Sequence, residues 1–125
     1  MCKHLAGSLI VTMAVLAIAP IAFGQSEPPR ILFYSRSQGF EHGPVAVKDG
    51  VPSVAEKALS ELAAENEAPF TSTKDGTKIT AENLKNFDLV IFYTQGDITA
   101  ADSKDKAPPV SEKGMSVLPI SRALP

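Results

Sequence analysis

The sequence predicts an α/β protein built on a doubly wound parallel sheet. Three observations carry this expectation. Two short apolar runs, Ile31-Leu32-Phe33-Tyr34 and Leu89-Val90-Ile91-Phe92-Tyr93, are continuous rather than alternating, as strands covered on both faces are. A capped amphipathic helix stands between them. The order strand, helix, strand, short helix, strand then repeats the alternation that right-handed crossovers build into parallel sheets.

The chain begins with a segment that belongs to none of this. Met1-Cys2-Lys3-His4 is short and basic, residues 5–19 carry no charge, Pro20 breaks the run, and Ala22-Phe23-Gly24 places small residues ahead of Gln25. This is the layout of a cleavable secretory signal over residues 1–24, shorter in its apolar part than the about 20 residues a membrane span needs. The expected destination is periplasmic or extracellular, with no stable membrane association after cleavage. Cleavage removes the only cysteine, Cys2, so the mature chain is expected to form no disulfide and to use no thiol nucleophile. It also removes Lys3, and the formal charge falls from −2 to −3. A mildly acidic chain without a basic cluster offers nothing to nucleic acid.

Residues 25–29 read as a polar lead-in to the first strand. Helix formation next starts at Ser53-Val54-Ala55-Glu56, which fits a capping box preceded by Pro52. Val54, Ala58 and Leu62, with Leu59 beside them, make the expected buried stripe, and Pro69 is the expected stop. A weak strand over 70–73, a turn over 74–77 and a short helix over 80–86 capped by Thr80 lead to the third strand. After Asp97 the chain turns polar, passes Pro108-Pro109, begins a helix over 111–115, and ends with two prolines in residues 116–125. Three strands and one well-formed crossover helix make a small core. The sequence therefore predicts a domain that stops short.

In open parallel sheets ligands bind beyond the carboxyl ends of strands that send their connections to opposite faces. With strand order 2-1-3, the loops 35–43 and 94–97 meet there. They supply Ser35, Phe40, His42, Gln95, Gly96 and Asp97 as pocket candidates. His42 can serve as a general base, as a donor to a sugar hydroxyl, or as a metal ligand; a packing or capping histidine is the plain alternative. Asp97 can hold a ligand hydroxyl or merely shape its turn. Ser35 and Ser37 are nucleophiles only beside a base, Glu41 and His42 form an acid/base pair only if they face one another, and Arg36 can bind an anion or be a plain surface arginine. No glycine-rich phosphate loop or paired-cysteine site occurs, and the 35–40 loop lacks the hydroxyl pattern of a flavin phosphate loop.

These residues carry a family resemblance. The stretch from Arg30 to His42, a strand followed by Gly39-Phe40-Glu41-His42, resembles the opening of the ThuA-like (trehalose utilisation) family. Residues 79–97 are similar to its second block: Thr80-Ala81-Glu82-Asn83-Leu84, then Phe87-Asp88, an apolar strand, and Gly96-Asp97. The resemblance covers residues 30–97. It implies a flavodoxin-like sheet similar to that of class I glutamine amidotransferases, a link to the use of trehalose or related disaccharides, and Phe40, His42, Gly96 and Asp97 as pocket residues. It also implies a later glycine-rich segment ending in a second pocket histidine, which this sequence does not carry. The expectation is therefore an N-terminal part of such a domain over residues 30–115 and an atypical tail over 116–125. No cofactor is expected here, a divalent metal being left to the complete domain. A non-catalytic carbohydrate-binding module and an inactive truncated product are the alternatives to an enzyme.

Overall fold

The computed structural model describes residues 27–118. The expected signal segment at 1–24, the first part of the lead-in and the end of the tail lie outside the described residues. Strand β1 (Ile31–Tyr34) is central, flanked by β2 (Phe70–Thr73) and β3 (Leu89–Phe92), and both pairings are parallel. The order β2-β1-β3 places the first crossover helix, α1 (Val54–Glu65), between β1 and β2 in sequence. The α/β, flavodoxin-like arrangement expected from the sequence is the arrangement found. Helices α2 (Ala81–Leu84) and α3 (Glu112–Met115) are single turns.

Alternation along β1 explains its unbroken apolarity. Leu32 and Tyr34 face one side and enter a core cluster with Ile79, Ile98, Val110 and Leu118, on which Val90 and Phe92 also pack. Phe33 faces the other side and stacks on Phe70, ring centroids 6.4 Å apart. Both faces exclude water, so every position must be apolar. An Arg30–Asp88 ion pair ties the first residue before β1 to the first before β3: Nε lies 3.0 Å from Oδ2, and the second prong lies 3.0 Å from Oδ1.

Helix α1 starts as expected but is rotated. Ser53 Oγ accepts the Glu56 N–H at 3.2 Å, the serine half of the capping box. The inward row is Ala55, Leu59 and Ala63, with Ala63 buried; the expected stripe residues Val54 and Leu62 are 72% and 56% exposed. Ala55 and Ala63 present little bulk to the sheet, whereas a row of Val54 and Leu62 would hold the helix farther off. Nor does Pro69 end the helix. Glu67 takes a left-handed conformation (φ 55°), the Ala68 N–H donates to Ala63 O and the Glu67 N–H to Ala64 O, which closes α1 in a Schellman motif. A glutamate at the position that glycine usually fills hid this stop from the sequence.

The polar stretch after Asp97 does not leave the domain. It folds back over the Leu32–Tyr34 face, where the Val110 N–H donates to Ile98 O (3.0 Å) and the Gly76 N–H to Pro108 O (2.9 Å). Arg36, expected at the surface, is completely buried and holds this stretch in place. Its guanidinium donates to the carbonyls of Asp97 (3.2 Å), Ala100 (2.5 Å) and Ala107 (3.4 Å). A guanidinium with several donors in a fixed plane can gather carbonyls that no ladder reaches. Among the described residues no helix is long and apolar enough to cross a membrane.

Candidate functional site

The pairing of β1 with β3 runs on into the loops that follow them. The Tyr93 N–H donates to Tyr34 O (3.0 Å), the Gln95 N–H to Arg36 O (3.1 Å) and the Gln38 N–H to Gln95 O (2.9 Å), with a parallel bridge between Ser37 and Gln95. This extension brings loops 35–43 and 94–97 together at the carboxyl end of the sheet.

Three aromatic side chains meet there. The His42 ring lies edge-on to Phe40, centroids 5.2 Å apart, and nearly parallel to Tyr93, centroids 6.3 Å apart with 23° between planes. Phe40 is 63% exposed, Tyr93 is 38% exposed and His42 is exposed as well. Three rings open to water, with His42 in contact with the other two, form a shelf; contiguous exposed ring surface with a polar rim is what a binding site presents. Phe40 and His42 were expected at the site. Tyr93 was not, because the run 89–93 reads as one buried strand; its N–H keeps the ladder bond to Tyr34 O, but its ring stands exposed at the end of the sheet beside His42.

The remaining expected residues build the rim or brace it. The Gln95 carboxamide, with its nitrogen assigned to the loop side, donates to Gln38 O (2.7 Å) and Phe40 O (2.6 Å) and so fixes the shelf backbone. Gly96 sits at φ 75°, and a Cβ there would meet the Gln38 side chain at 2.9 Å, so this turn requires glycine. The Asp97 N–H donates to Gln38 Oε1 (2.9 Å). Asp97 Oδ1 accepts from the Thr99 hydroxyl (2.6 Å) and N–H (2.8 Å), and these bonds hold its carboxyl below the usual range. Asp97 is thus an exposed, ionised acceptor that also shapes its own turn.

Ser35 does not join the shelf. It is buried, and its N–H donates to Thr73 O on the β2 side. Ser37 is buried too, and its Oγ has no partner, as is also true of the Tyr34 hydroxyl. Glu41 points away from His42: its carboxylate accepts from Lys74 Nζ at 2.6 Å. The acid/base pair suggested by their adjacency is therefore not formed.

Among the described residues no three His, Cys, Asp or Glu side chains converge on a metal-sized space. His42 is flanked by rings rather than by oxygen or nitrogen donors, so the residues described do not fit a metal centre there. A cavity of about 660 Å³ opens at the opposite, amino ends of the strands, lined by Glu27, Arg30, Pro69 and Asp88 among others. Arg30 and Asp88 in its lining pair with one another, and Arg30's side-chain and backbone N–H groups hold Asp88 down at about 2. No protein-family model, curated protein or solved structure matches the chain.

Proposed function

We propose that this chain is an exported ThuA-like protein of carbohydrate utilisation and that it holds a small sugar, trehalose or a related disaccharide, on the shelf of Phe40, His42 and Tyr93. The observation that carries the reading is the exposed ring cluster at the carboxyl ends of β1 and β3. A pyranose has a face of C–H groups that packs on an aromatic ring and a rim of hydroxyls that needs donors and acceptors. Rings and polar rim stand side by side here: Asp97 supplies a charged acceptor and His42 a ring nitrogen. The apolar N-terminal run supports the export half of the reading.

A non-catalytic binding module is the form of this reading that the contacts favour. Ser35 and Ser37 are buried away from His42, Glu41 is held by Lys74, and Asp97 is held by Thr99. Nucleophilic catalysis needs a hydroxyl within hydrogen-bond reach of a base; among the described residues of the shelf none stands so.

Titration of the isotope-labelled full chain with trehalose, followed by amide NMR shifts, tests the proposal. Saturable shifts confined to residues 38–42 and 93–99 are expected. Tyr93→Ala is expected to weaken binding about fivefold, the ~1 kcal/mol that ring stacking contributes. Absence of saturable shifts with trehalose and with other glucose disaccharides would sink it.

A further inference from the structure

The shelf loop is held from two sides, and the two attachments differ in kind. On the β3 side Gln95 grips the carbonyls of Gln38 and Phe40. On the β2 side the tie is electrostatic. Glu41, between Phe40 and His42 in the chain, places its carboxylate 2.6 Å from Lys74 Nζ, one residue beyond the end of β2, and the same ammonium lies 3.4 Å from Asp105 Oδ2. The Lys74 and Glu41 side chains are 20% exposed and that of Asp105 is 5% exposed. Charges so withdrawn from water are screened far less than a surface pair.

From this geometry we infer that Lys74 is a positioning residue for the shelf: it locks Glu41, and with it the rings of Phe40 and His42, to the end of β2. The inference rests on the sugar-binding reading for its functional consequence, but the lock itself does not. Lys74 touches neither ring; it acts through Glu41. The arrangement of charges explains why its removal would matter. One ammonium separates two carboxylates, and without it they face each other across a half-buried gap. Asp105 is fastened from its own side, accepting the N–H groups of Ser37 (3.2 Å) and Ala107 (3.2 Å). Glu41 has no comparable anchor, because its loop is exposed and turns through Gly39 at φ 78°. Repulsion therefore displaces Glu41 and carries the neighbouring rings off Tyr93.

The test reads the shelf with and without sugar in the full chain. In sugar-free protein, the ring-current shift of the His42 proton signals and the cross-relaxation between His42 and Tyr93 report ring contact. Lys74→Met is expected to abolish the cross-relaxation and to weaken trehalose binding about tenfold. Lys74→Arg, which keeps charge and reach, is expected to restore both. Glu41→Ala leaves Lys74 paired with Asp105 and removes its only tie to the shelf loop, so it decides the matter if Lys74→Met does not fold; loss of the His42–Tyr93 contact is expected there too. Ring contact unchanged in both Lys74→Met and Glu41→Ala overturns the inference. Lost ring contact in a protein whose wild type binds no sugar upholds the lock and overturns the sugar reading, so the two failures are separable.

Discussion

Tyr34 shows how a single side chain can work against the fold that it fills. Its ring lies edge-on to Phe92, centroids 5.6 Å apart, inside the main core cluster, yet its hydroxyl is buried without a hydrogen-bond partner. A buried hydroxyl left unmade costs about 1–3 kcal/mol. Tyr34→Phe is therefore expected to stabilise the protein by about 1 kcal/mol in urea unfolding; a loss instead would mean that the hydroxyl is satisfied. Burial also pushes the Tyr34 phenol up from 10.0 to about 12. The folded state then holds the proton more tightly than the unfolded chain. Stability is full below pH 10 and falls as pH rises from 10 towards 12. That alkaline loss should shrink in Tyr34→Phe. Residue type alone did not mark Tyr34, Arg36 or Tyr93 for these roles. Burial of Arg36 and exposure of Tyr93 reverse what their types and neighbours suggest, because both are set by where loops cross rather than by local pattern.

The elements themselves were largely legible. The strand runs, the Ser53 and Thr80 caps and the turn before α2 all act through neighbours within a few residues. The face of α1 was not, since two apolar rows run along the helix and only the sheet's shape selects between Val54–Leu62 and Ala55–Ala63. The return of the chain after Asp97 was also hidden, because it depends on close backbone approach. At Gly76 a Cβ would strike the backbone of Pro109 and Val110. Backbone cannot yield as a side-chain tip can, so Gly76→Ala is expected to destabilise by about 1–3 kcal/mol. It should also speed amide exchange at Val110, whose N–H bonds Ile98 O. Unchanged exchange at Val110 would show that Gly76 does not clamp this stretch.

Across the whole molecule the two faces of the sheet are unequally covered. The Leu32–Tyr34 face is sealed by the residues 98–118, whereas the α1 face leaves an apolar groove of about 310 Å³ among Ile31, Leu62, Phe70, Leu89 and Ile91. Helix α1 packs against β2 and the 43–45 turn, and Leu89 and Leu62 stay exposed. An amphiphilic dye such as anilinonaphthalene sulfonate is expected to fluoresce on the folded chain. Leu62→Glu should reduce that signal while changing stability by no more than about 0.5 kcal/mol, as exposed substitutions do. Dye binding unchanged by Leu62→Glu would place the exposed apolar surface elsewhere.

The sequence by itself determined the α/β class, the three strands, the helix starts and the two loops from which the shelf is made, because apolar periodicity, caps and turns are short-range properties. Tertiary structure decided which side chains stand on that shelf. It turned Tyr93 out, buried Ser35 and Ser37, gave Glu41 to Lys74 rather than to His42, and drew Arg36 inside. Each of those outcomes depends on a partner more than 30 positions away or on the crossing of two loops, and no local pattern records such distances.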